Sequence, residues 1–174
     1  MTRRRPLRLL TVCALALAAS TLFGCSPAPT PTPSPTAAFA SEEEAFAAAE
    51  ETYRAYVDTV NLERQSGETE QSTEFLTGDV LESEIDARNE LAASGTHLEG
   101  DTRVTSFSGE SSEADGSIEA NACIDISSVR AIDKTGQDVT TAGRSDIYAV
   151  RLHFVNTSKS LLLSSYEVAP DIAC

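Results

Sequence analysis

Between residues 44 and 64, apolar side chains return every three or four positions. Phe46, Ala49, Tyr53, Tyr56, Val57 and Val60 share one face of a helix and charged residues take the other. The start of that helix is written just upstream. Ser41 can accept from the first free amides and Glu44, three residues on, can return the bond, which makes a capping box. Glu42, Glu43 and Glu44 also sit where the helix dipole favours negative charge. Residues 65–71 are polar around Gly67 and read as a loop. A short helical piece at 73–76 and a longer helix over 79–93 follow. Leu81, Ile85, Arg88, Leu91 and Ala92 fall on one face of the longer helix, and Gly95 stops it.

Beyond Gly95 the period shortens to two. Residues 98–107 are rich in Thr and Val, and 109–116 read as an acidic turn. Residues 117–128 alternate, with Ile118, Ala120, Ala122, Ile124 and Ile126 on one side and Glu119, Asn121, Cys123, Asp125 and Ser127 on the other. After a turn at 133–136, a strand over 145–156 places Tyr148, Val150, Leu152 and Phe154 on the apolar side and Arg151 and His153 opposite. A hairpin turn at 156–159 leads to a last strand over 160–168, which begins Leu161-Leu162-Leu163. Helices first, then four antiparallel strands, predict an α+β layer fold. Because alternation fixes the faces, the titratable groups belong mostly to the outer side of the sheet.

The front of the chain follows different rules. Residues 1–8 carry Arg3, Arg4, Arg5 and Arg8 and no acid, and 9–22 are almost wholly apolar. That run is too short for a membrane span of ~20 residues and has the length of a signal-peptide core. It ends in Leu22-Phe23-Gly24-Cys25, which resembles a bacterial lipobox, although Phe23 is bulkier than the usual residue there. An ordinary signal peptide with a chance cysteine, or an uncleaved N-terminal anchor, is the alternative. The resemblance implies cleavage before Cys25 and acylation of that cysteine, with two or three chains holding the protein at the extracytoplasmic face of the cell membrane. Pro27, Pro29, Pro31, Pro33 and Pro35 then alternate with Ser, Ala and Thr. Such a tether stays near polyproline II and lifts the domain roughly 30 to 45 Å off the bilayer. The expected organisation is a signal peptide over 1–24, a lipidated cysteine and tether over 25–37, and one globular domain over 38–174.

Charge narrows the partners. The 174 residues hold 13 Lys and Arg against 27 Asp and Glu, a net −14; losing the four leader arginines leaves nine basic residues against 27 acids, or −18. That surface repels phosphate backbones and has no basic stripe, so nucleic acid is excluded. Of four cysteines, Cys13 leaves with the leader and Cys25 becomes a thioether, so Cys123 and Cys174 remain. Outside the cytoplasm such a pair reads most simply as a disulfide, worth about 4 kcal/mol. Two free thiols for redox or metal chemistry are the rival reading, without a Cys-x-x-Cys or a nearby His to support it.

The element order, residues 44–61 as the first helix, the run Ala122-Cys123-Ile124-Asp125-Ile126-Ser127 and the terminal Cys174 resemble small actinobacterial lipoproteins with an NTF2-like (SnoaL-like) cone domain. The resemblance spans about 39–174, though the 161–163 strand lacks the tryptophan such proteins often carry. It implies N-terminal helices packed on a curved antiparallel sheet around an apolar cavity, a scaffold used by isomerases, dehydratases and many non-enzymes. Tyr53, Tyr56, Tyr148 and Phe154 are the candidate lining residues, and Tyr166 is a further aromatic able to reach the cavity. Aromatics at these spacings equally serve as plain core.

Catalysis on this scaffold needs a carboxylate or imidazole facing inward and a second group for the developing oxyanion. Of the two histidines, His97 and His153, the second faces away by alternation, as does Asp125. The sequence has no His-Glu-x-x-His, phosphate loop, calcium loop or Gly-x-Ser-x-Gly, so no metal or cofactor is expected. The expected function is that of a membrane-anchored, non-catalytic lipoprotein that binds another envelope protein, or a second copy of itself, through the outer sheet face. A carrier of a small apolar ligand in the cone is the alternative, and an isomerase- or dehydratase-like enzyme the third reading.

Overall fold

In the computed structural model, which describes residues 38–67 and 71–174, Ser41 stands extended and its hydroxyl accepts from the Glu44 amide at 3.2 Å. The Glu44 carboxylate returns to the amide of Ala40 at 2.9 Å, one residue before the cap itself. Helix α1 (Glu42–Ser66) follows and buries Ala45, Ala49, Tyr53 and Val57 at four-residue steps. The leader, lipobox and tether expected over 1–37, Cys25 included, lie outside the described residues.

A short 3-10 helix (Gln71–Phe75) leads into α2 (Gly78–Ser94), which ends at Gly95 with the Thr96 amide donating to the Leu91 carbonyl at 3.0 Å. The face expected for α2 is only partly covered, with Leu81 packed on the core and Arg88 and Leu91 half-buried. Val80 is its buried residue, while Ile85 is 45% exposed. The N-terminal turn of α2 is fixed to the sheet, where the Thr77 amide donates to the Leu163 carbonyl at 2.9 Å, and Arg88 further along joins Glu63 of α1. Among the described residues no helix is long and apolar enough to cross a membrane.

The six strands are β1 (His97–Glu99), β2 (Arg103–Ser112), β3 (Ile118–Asp125), β4 (Arg130–Ile132), β5 (Ile147–Asn156) and β6 (Leu161–Val168). Four of them form one antiparallel sheet in the order β2-β3-β5-β6, and β1 pairs with β4 in a separate two-stranded ribbon. The strand expected over 98–107 is therefore two strands, broken at Gly100. There φ is +84° and the backbone presses on the Ser128 carbonyl, leaving no space for a Cβ. Residues 109–112, expected in a turn, belong to β2.

Register shifts between Val104 and Ser106 and between Gly109 and Ser111, with a third opposite His153 and Phe154, mark bulges that bend the sheet. The curved sheet is not closed, and α1 lies in its concave side. Alanines on both layers, Ala45, Ala49, Ala120 and Ala122, allow a close approach, and Phe46 lies where a Cβ on Gly109 would have to be. Phe154, Ile118, Leu152 and Leu163 fill the closed end and are almost wholly buried, each worth about 1.5–3 kcal/mol. This is the expected α+β arrangement, with N-terminal helices packed on a curved antiparallel sheet.

On the outer face, the Ala169 amide donates to the Ala149 carbonyl at 2.9 Å, and Cys174 is bonded to Cys123 with Cα atoms 5.7 Å apart. The C-terminal tail thereby covers Cys123, Ala149 and Ala169 in a second small cluster.

Candidate functional site

The last turns of α1 are seated on the segment that leads into β2. Asn61 brackets Thr102, its Nδ2 donating to the Thr102 carbonyl at 2.8 Å and its Oδ1 accepting the Thr102 amide at 2.9 Å. Three residues on, Arg64 Nη1 donates to Thr102 Oγ1 at 2.9 Å. This seating fixes the α1 side of the cone mouth.

Beneath it lies a buried polar joint. Glu63, 8% exposed, accepts from the Ser72 amide at 2.7 Å, the Ser72 hydroxyl at 3.0 Å and Arg88 Nη2 at 2.9 Å. Arg88 Nε donates to Glu84 at 2.8 Å, so one guanidinium holds two carboxylates and pins α2 to α1 through the 3-10 helix. Burial alone would raise the Glu63 carboxyl, but the Ser72 bonds and Arg88 outweigh it and hold it below the usual glutamate value. For Arg88, burial works against the charge and the two glutamates more than offset it.

The sheet supplies the facing wall. Tyr166 pairs across the ladder with Leu152, and Val168 with Val150, so both share the concave face with core residues. They are nevertheless 43% and 59% exposed, because α2 leaves this end of the cone uncovered. All four tyrosines of the chain meet here. Tyr53 forms the floor, with ring centroids 6.2 Å from Tyr56 and 6.4 Å from Phe107. Burial raises the Tyr53 hydroxyl well above the ordinary phenol value, with the other three tyrosines adding to it. Tyr56 is raised by burial, then by Glu84 and Tyr166, while Arg88 and Arg64 pull it down. Tyr148 is pushed up to about 12 by burial and by the hydroxyl of Tyr166 beside it. These phenols stay protonated at neutral pH and act as neutral donors and acceptors.

The expected lining residues thus divide. Tyr56 and Tyr148 stand at the mouth and Tyr53 beneath them, but Phe154 has no exposed surface and plugs the closed end. Tyr166 takes the place Phe154 was expected to fill. Two histidines considered for catalysis lie elsewhere: His97 is exposed beside Glu99, and His153 Nδ1 contacts the Ser164 hydroxyl at 2.7 Å. His153 lines a depression of about 120 Å³ with Ser111, Glu113, Ser117, Ile118 and Glu119, away from the tyrosines. A groove of about 520 Å³ runs between the 3-10 helix and α2, with Leu81, Ile85 and Arg88 among its walls. Among the described residues no cluster of His, Cys, Asp or Glu is arranged to hold a metal ion.

No family model matches the sequence, and no curated protein does. The fold is shared. The intermembrane space region of the chloroplast protein ARC6 superposes with a TM-score of 0.50 at 18% identity, over 71% of this chain and 95% of that one. A candidate aromatic ring hydroxylase of Novosphingobium aromaticivorans gives 0.48 at 13% identity, over 76% of this chain and 98% of that one. At such identities the first likeness concerns the fold alone, and no argument rests on the second.

Proposed function

We propose that this protein is a lipid-anchored, non-catalytic binding protein at the extracytoplasmic face of an actinobacterial cell membrane, and that its cone mouth holds a small, largely apolar molecule. The observation that carries the reading is the convergence of all four tyrosines at the end of the cone that α2 leaves open. Tyrosine offers a broad apolar face and a hydroxyl that orients what it touches. Tyr166 and Val168 add exposed apolar surface on the concave side of the sheet. Glu63 and Glu84 are both engaged by Arg88, which supports binding over proton-transfer chemistry. The outer sheet face is crossed by the C-terminal tail, which covers Cys123 and Ala149 there.

The Ala38 amide donates to the Ala114 carbonyl in the β2–β3 turn, and a Cβ on Gly116 in that turn would touch both Ala38 and Asn156. Ala38, where the described residues begin, is therefore held at the closed end. Tyr148 lies at the other end of β5 from Asn156, roughly 25 Å away.

Native mass spectrometry of the protein extracted from its own membranes tests both halves. The expected chain mass is that of residues 25–174 with acyl chains, plus an adduct that disappears on denaturation. An unacylated chain overturns the anchor, and an acylated chain without an adduct counts against the ligand.

A further inference from the structure

Two arginines border the mouth, and they are used differently. Arg88 is committed to Glu63 and Glu84. Arg64, half-buried, reaches only neutral acceptors, its Nη1 donating to Thr102 Oγ1 at 2.9 Å and at 3.4 Å to the Gly100 carbonyl. Among the described residues its Nε and Nη2 have no acceptor and it forms no ion pair, while Glu84 and Asp101 act on it from a distance. In a chain with 27 acids and 13 bases, a carboxylate partner would be easy to supply.

A half-buried guanidinium with an unfilled two-donor edge is costly to leave so, and that edge matches a carboxylate in shape. Nor is it loose. Asn61 and Thr102 clamp the turn of α1 that carries it, so the fork is set before any ligand arrives and little ordering remains to oppose binding. Tyr56 and Tyr148 are the phenols whose hydroxyls sense its charge.

We infer that Arg64 anchors a carboxylate, and that the ligand of the mouth is a small molecule with an apolar body and one carboxylate group. The body lies against Tyr56, Tyr148 and Tyr166, and the carboxylate sits on the Nε–Nη2 edge of Arg64. The inference rests on the ligand-binding reading above and adds the chemical class.

The chain has no tryptophan, and its four tyrosines stand at this one site, so tyrosine emission reports on the mouth. The full-length protein, held by its own anchor in phosphatidylcholine vesicles, is titrated at pH 7 with cyclohexanecarboxylate and with the neutral cyclohexanecarboxamide. The acid is expected to act at concentrations at least about tenfold lower than the amide, as the loss of one charge-assisted bond implies. Arg64→Gln should abolish that preference, Arg64→Lys keep part of it, and Arg103→Gln, on the outer face of β2, leave it unchanged. Equal responses to acid and amide, unaltered by Arg64→Gln, overturn the role of Arg64 and leave the ligand site standing. No response to either probe overturns both.

Discussion

Glu63 shows how a side chain's role can depend on partners far along the chain. Its bonds run to Ser72 and Arg88, nine and 25 residues away, so in sequence it is one acid among 27. Its folded pKa is lowered, so its contribution is complete above the unfolded glutamate value of about 4.3. The contribution is lost as pH falls through the lower folded value. Glu63→Gln should cost about 1.5–3 kcal/mol at pH 7, the range for a hydrogen bond to a charged group. Urea unfolding of parent and variant at pH 7 and pH 3 checks this. The gap should narrow at pH 3, and an unchanged gap would mean that the negative charge of Glu63 adds nothing to the joint. Arg64 was equally hidden, because a basic residue in the last turn of a helix needs no further explanation. The tyrosines were more legible, since their spacing put them on the inner faces. Which of them would remain uncovered depended on how far α2 reaches.

Elements read well where the period was unbroken and poorly where a bulge changed it. In β3 and β5 the strict alternation placed Ile118, Ala120, Ala122, Leu152 and Phe154 inward, as observed. In β2 the bulges keep Val104, Phe107 and Gly109 on the concave side at spacings of three and two, so no alternation survived to be seen. The acids after Gly109 then looked like a turn. Ile85 is left 45% exposed on the face it shares with Leu81 and Arg88, since periodicity gives a face but not the length over which a neighbour covers it. The C-terminal tail is held by the Cys123–Cys174 bond, which spans 51 residues of chain. A loop of that size is worth about 4 kcal/mol in the chain-entropy account. Cys174→Ser should lower Tm by on the order of 10 °C in calorimetry, and reduced parent should match it. An unchanged Tm would mean that the tail adds nothing to the fold.

The domain as one body combines a packed closed end, where its chain enters, with an open aromatic end that has Arg64 at its rim. Sequence reasoning reached the α+β layers because helix and strand periods are local, but the order β2-β3-β5-β6 and the separate β1–β4 ribbon depend on contacts across Gly100 that no local pattern records. The central claim is that the open end is a binding site. A crystal structure of the protein purified from its own membranes, without stripping by denaturant, tests it most directly. The account predicts a small molecule touching Tyr56, Tyr148 and Tyr166. A mouth closed by its own side chains, or a molecule seated instead in the groove between the 3-10 helix and α2, would contradict it.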